Sequence, residues 1–96
     1  MRHVRVAWNH DEPDDPITLF SEIDADAWEI RKVEVFRDGR MGFADASESS
    51  ESARLGLMPV PDLAEIARSP EFRPAEITRE EFDQIWESAR AIVRSR

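Results

Sequence analysis

One stretch of the chain concentrates groups that could do chemistry. Trp8-Asn9-His10-Asp11-Glu12-Pro13-Asp14-Asp15 sets an imidazole and four carboxylates close together. Oxygen-rich sets of this kind coordinate divalent cations, and an imidazole beside carboxylates can relay protons. The spacing matches no defined metal loop. It lacks the glycine and the closing glutamate of an EF-hand, and with two His and no Cys in the chain a zinc site would have to lean on carboxylates. Acids flanked by Pro13 and Pro16 are also what solubility and turn formation ask of an exposed loop. Two readings of Trp8, His10, Asp11, Glu12, Asp14 and Asp15 therefore stand side by side, a ligand set or a diffuse negative field. His10 is the better candidate base, because His3 alternates onto the Arg5 side of its strand and is expected at the surface or rim.

Other chemistries find little support. Ser47, Ser49, Ser50 and Ser52 lie in an acidic stretch without a Gly-x-Ser-x-Gly elbow, and glycine occurs only at 39, 42 and 56, so neither a serine hydrolase nor a glycine-rich phosphate loop is indicated. The lack of Cys removes disulfides and thiolate sites together and fits a reducing compartment. No cofactor is expected. With 21 acids against 13 bases the formal charge is -8, which repels phosphate backbones and anionic lipid heads and attracts basic proteins. Nucleic acid and membrane are thus not expected as partners, and a basic protein is. The first residues alternate charged and apolar side chains instead of forming the apolar core of a signal peptide, so a cytoplasmic location is expected.

The elements that must position these groups can be read from periodicity. His3 to Asn9 alternates, with Val4, Val6 and Trp8 on one face, and so forms a strand that ends where the acidic loop begins. Ile17 to Ile23 forms a second strand, with Phe20 and Glu22 facing away from Ile17 and Leu19. Asp38-Gly39 between two strand-like runs indicates a hairpin with a type I′ turn. That register pairs Phe36 with Met41 and Val35 with Gly42, placing Phe36, Met41 and Phe43 opposite to Val33 and Val35, with a bulge near Arg31 or Lys32. Ala46 to Ser52 has no periodicity and reads as a mobile loop. Arg54 to Met58 is expected to return briefly as a strand, and a short helix spans about Asp62 to Ala67. Thr78 and Glu81 form a capping box ahead of Phe82, Ile85, Trp86, Ala89, Ile92 and Val93, the apolar stripe of a C-terminal helix. Trp28 and Trp86 are expected in the core. The fold class is α+β: one domain over residues 1–96, an antiparallel sheet of about four strands, with the C-terminal amphipathic helix and the short helix packed on one face.

Three segments carry a resemblance: Val4-Arg5-Val6-Ala7-Trp8-Asn9-His10-Asp11-Glu12-Pro13-Asp14-Asp15-Pro16, Glu29-Ile30-Arg31-Lys32-Val33-Glu34-Val35-Phe36-Arg37-Asp38-Gly39-Arg40 and Pro59-Val60-Pro61. Together they resemble a family of short bacterial proteins built on a domain of unknown function, over nearly the whole chain. The resemblance brings no catalytic residue. It implies an association with toxin-immunity systems, in which small acidic proteins neutralise a toxin. The expected function is a non-enzymatic acidic protein-binding module of immunity type. The alternative is a small metal-binding protein or enzyme centred on the loop from His10 to Asp15.

Overall fold

The computed structural model describes residues 1–50 and 53–95. Strands β1 (Arg2–Trp8), β2 (Thr18–Ile23), β3 (Glu29–Val35) and β4 (Met41–Ala44) form an antiparallel meander. Helix α1 (Leu63–Ile66), strand β5 (Phe72–Glu76) and helix α2 (Arg79–Arg94) follow. The sheet order is β4-β3-β2-β1-β5, so β5 returns to the free edge of β1 and pairs with it antiparallel. Five strands replace the expected four. Pro74 sits in the middle of β5, where it masks the strand signal, and it is tolerated because β5 is an edge strand with an unpaired side. Arg54 to Met58, expected as a strand, runs as coil.

The hairpin between β3 and β4 differs from the two-residue turn that Asp38-Gly39 indicates. Phe36 N–H donates to the Arg40 carbonyl (2.9 Å) and Gly39 N–H to the Phe36 carbonyl (3.0 Å), with Gly39 alone in this turn at positive φ, 91°. This is a three-residue loop closed by a glycine bulge. The register moves by one residue, pairing Val35 with Met41, Glu34 with Gly42 and Val33 with Phe43. Val33, Val35, Met41 and Phe43 therefore share one face instead of dividing between two. A second irregularity lies where β2 meets β3: Glu22 pairs with Arg31 and Ile23 with Glu29, which leaves Ile30 as the extra residue.

Helix α2 covers the face that this register creates. Thr78 accepts from Glu81 N–H, the Glu81 side chain returns to the Thr78 N–H, and the box starts the helix where the sequence indicates. Phe82, Trp86 and Ala89 are buried against Val33, Met41 and Phe43, with Trp86 edge-on to Phe43 at 5.3 Å between ring centroids. Ile92, at the margin of the stripe, stays exposed. The short helix does not share that face. Ile66 lines a cavity with Val4 and Val6, the side of β1 opposite to His3, which packs against Phe82 of α2. Bounded by Pro61 and Pro70, α1 is too short to reach around the sheet edge, and it covers β5 with the coil that precedes it.

Trp28, expected in the core, is 40 % exposed. It closes a tight turn in which the Asp24 carboxylate accepts from the N–H groups of Asp26 and Trp28 while Ala27 takes φ 68°, and this geometry turns the indole outward. The stretch Ala46 to Ser52, expected to be mobile, extends into Glu51 and Ser52, which lie outside the described residues. Its described part is a bonded turn: Asp45 accepts from Ser47 and Glu48 N–H, and Ser49 bridges to Ala44. Among the described residues, no helix is long and apolar enough to cross a membrane.

Candidate functional site

The acidic loop leaves the end of β1 and rejoins the sheet at β2. Trp8 N–H donates to the Ile17 carbonyl (2.8 Å) and Asn9 N–H to the Glu71 carbonyl (2.7 Å), so both ends are tied to neighbouring backbone. His10 organises the interior of the loop. Its Nδ1 accepts from Glu12 N–H (2.9 Å), which leaves Nε2 as the protonated nitrogen that donates to the Pro16 carbonyl (2.8 Å). The imidazole lies against Trp8, with centroids 4.3 Å apart, and Trp8 lies against Phe72 at 5.8 Å. Arg37 reaches across from the hairpin to donate to the His10 carbonyl (2.6 Å). The candidate base is thus a staple: both ring nitrogens are engaged by backbone, and a metal ion or a substrate proton would have to displace one of these bonds.

The carboxylates behave differently from the imidazole. Asp11, Glu12 and Asp14 are exposed and Asp15 is half-buried, and none of the four makes an ion pair among the described residues. Among those residues no group of three or more His, Asp or Glu side chains converges where an ion could sit. Trp8 and His10 are therefore brought together, while Asp11, Glu12, Asp14 and Asp15 fan outward around them.

A second set of charges has no counterpart in the sequence reading. His3, expected at the surface or rim, is 5 % exposed beneath α2, because its cross-strand partner is Glu22 and its ring lies tilted against Phe82 with centroids 5.4 Å apart. Glu22 is equally buried. Arg31 grips it with two bonds, Nε to Oε1 at 2.6 Å and Nη2 to Oε2 at 2.7 Å, and His3 Nε2 lies 2.8 Å from Oε2. Arg31 also donates to Asp83 of α2 (2.9 Å), and its guanidinium lies over the rings of Phe82 (4.8 Å) and Trp86 (5.1 Å). The Arg31 hydrogen bonds hold the Glu22 carboxyl down at about 2 from an ordinary 4.5, against the opposing pull of burial, with His3 adding to the effect. Glu22 in turn raises Arg31 above its already high value. Each charge in this network bonds another member of it, and the bond from Arg31 to Asp83 joins α2 to the sheet. Register could have found it, since His3, Glu22 and Arg31 are aligned across three strands.

The other face carries a third set. Glu29, 8 % exposed, accepts from Ser21 Oγ (2.5 Å) and Gly56 N–H (2.9 Å) and pairs with Lys32 Nζ at 3.3 Å. Lys32 also donates to the Arg54 carbonyl (2.8 Å), so Glu29 and Lys32 together tie the coil onto the sheet. Glu34 lies on the same face without an ion pair among the described residues, and burial pushes its carboxyl above the ordinary range, partly offset by Lys32.

No curated protein and no solved structure matches the chain. A family model does match, over residues 2–91, which takes in all five strands, both ends of the acidic loop and most of α2. The chain belongs to the family described as a domain of unknown function, DUF6881.

Proposed function

We propose that the protein is a non-enzymatic, cytoplasmic binding module that engages a basic protein partner through its acidic surface, as an immunity-type protein would neutralise a basic toxin. One observation carries the reading: the loop pins its own backbone through His10 and leaves Asp11, Glu12 and Asp14 exposed and without an ion pair among the described residues, while the buried Glu22 and Glu29 are each matched by a cation. Unpaired carboxylates on a fixed backbone add to the field of a chain with net charge -8, and such a field speeds encounter with a cationic surface more than it tightens the final contact. Rim charges of this kind act additively and are sensitive to salt.

The test is affinity capture of the partner from the native host, followed by association kinetics with a variant in which Asp11, Asp14 and Asp15 become Asn and Glu12 becomes Gln. The association rate should fall roughly tenfold or more at low salt, in proportion to charge removed, and added salt should reproduce the loss in the parent. Unchanged rates would remove the acidic loop from the interface. A one-to-one isotherm for Ca²⁺, Mn²⁺ or Zn²⁺ that disappears in His10→Ala would replace the reading with metal binding.

A further inference from the structure

The coil-covered face is incompletely filled, and the space that remains has the make-up of a ligand site. A cavity of about 230 Å³, partly open to solvent, lies between Val4, Val6 and Leu19 of the sheet, Phe72 of the edge strand, and Val60 and Ile66 of the cover. Its origin is visible in the cover: a four-residue helix and a coil interrupted by Pro59 and Pro61 cannot tile a five-stranded sheet as α2 does on the other side. The cover is nonetheless fastened, at Gly56 N–H to Glu29, at Lys32 to the Arg54 carbonyl and at Val60 N–H to the Ala27 carbonyl (2.7 Å). Apolar cavities of about 150 Å³ stay dry and take up a benzene ring, so this one has room for a single ring with a small substituent.

The polar corner of the cavity narrows the chemistry further. Ser21 and Glu29 are both buried in its wall, and the Ser21 hydroxyl gives its proton to Glu29. The lone pairs of Ser21 Oγ are left as acceptors to which the described residues bring no donor. Lys32, the one cation in the wall among the described residues, is already committed to Glu29 and to the Arg54 carbonyl. We propose that this cavity binds a small uncharged molecule consisting of one aromatic ring with a single hydroxyl or N–H donor, its ring among the valines and Phe72 and its donor on Ser21. The site is on the opposite side of the sheet from α2 and makes no use of the acidic loop, so it stands or falls separately from the function proposed above.

The probe is phenol, with toluene to remove the donor and benzoate to add a negative charge, followed by methyl NMR of the full chain. Phenol should give saturable one-to-one shifts at Val4, Val6, Leu19, Val60 and Ile66 with a dissociation constant of about 1 mM or tighter. Toluene should bind the same site about three- to tenfold more weakly, and Ser21→Ala should bring phenol down to the level of toluene. Benzoate should not saturate. Val60→Phe, which keeps the backbone bond to Ala27 and fills the space, should abolish binding, and Leu19→Phe does the same from the sheet side should the first variant fold poorly. Phenol shifts that fail to saturate, that persist in a folded filled variant, or that benzoate matches in affinity would overturn the proposal.

Discussion

Each face of the sheet holds a carboxylate whose titration is displaced, Glu22 beneath the helix and the half-buried Glu34 beneath the coil, and the two shift in opposite directions. On the helix-covered face Glu22 meets Arg31 in a two-bond grip and His3 in a third contact, and its carboxyl is held at about 2. On the coil-covered face Glu34 has burial but no ion pair among the described residues, and its carboxyl is pushed up. The difference follows from what covers each face. A regular helix presents side chains at fixed intervals, so Asp83, Phe82 and Trp86 of α2 all converge on one guanidinium. A coil and a single helical turn present none with that regularity; they attach at a few backbone points and leave a cavity. One face is closed by its helix, and the other retains a cavity and, in Glu34, a carboxylate without an ion pair among the described residues.

The largest expected effect separates the faces by packing alone. Trp86→Ala empties a site that is 4 % exposed and should destabilise by about 3–5 kcal/mol. Ile66→Ala, beneath a half-open cover, should cost about 1–2 kcal/mol, because the side chain is already partly wet and borders empty space. Urea midpoints of the two variants measure the contrast directly. Equal losses would mean that the coil-covered face is as tightly packed as the other.

The second effect tests the charge network. Because the folded Glu22 titrates at about 2 and an unfolded one near 4.5, the folded protein binds fewer protons between those values. The stabilisation is complete above pH 4.5 and drains away as the pH falls toward 2, amounting to about 3 kcal/mol. Glu22→Gln should remove it and leave Arg31 with Asp83 alone, so the variant should be weaker at pH 7 and lose less stability on acidification than the parent. Parallel acid limbs in the two proteins would show that Glu22 is not the group whose protonation loosens the helix-covered face.

How much of this was legible in the sequence depends on which physical signal each feature leaves. The box at Thr78 and Glu81 and the stripe through Phe82, Trp86 and Ala89 are local in the chain, and they appear where expected. The acidic loop was legible as composition, but the use of His10 as a staple depends on Pro16 and Glu12 closing around it, a contact that residue types do not announce. The hairpin shows how little is needed to lose a face. Asp38-Gly39 marks the turn correctly, yet a loop one residue longer turns Phe43 from the company of Phe36 to that of Val33. Gly42 then lies so close to Ser50 that a Cβ would come within 3.0 Å of its hydroxyl, a packing that only the true register reveals. The network of His3, Glu22 and Arg31 needed three strands in register at once, and β5 was hidden by Pro74. Periodicity thus missed both pairing between distant segments and the exact closure of short loops, because neither leaves a repeat in residue type.

The smallest expected effect has the most diagnostic sign. For Glu34 the folded carboxyl titrates above its unfolded value, so the folded protein binds the proton more tightly, and this contribution to stability is present at low pH and lost as the pH rises through the unfolded value toward the folded one. At pH 7 the parent therefore carries a half-buried charge, without an ion pair among the described residues, that Glu34→Gln would remove while keeping the shape of the side chain. The variant should unfold at a slightly higher urea midpoint than the parent at pH 7, and the advantage should vanish below pH 4, where the parent's own carboxyl is protonated. Glu22→Gln is expected to change stability in the opposite sense at neutral pH, so the pair, measured side by side from pH 3 to pH 8, reads the two faces independently. A loss of stability in Glu34→Gln at pH 7 would mean that the carboxylate is matched by Lys32 after all. The coil-covered face would then be a finished electrostatic surface like the one beneath α2, and its openness would be a matter of shape alone.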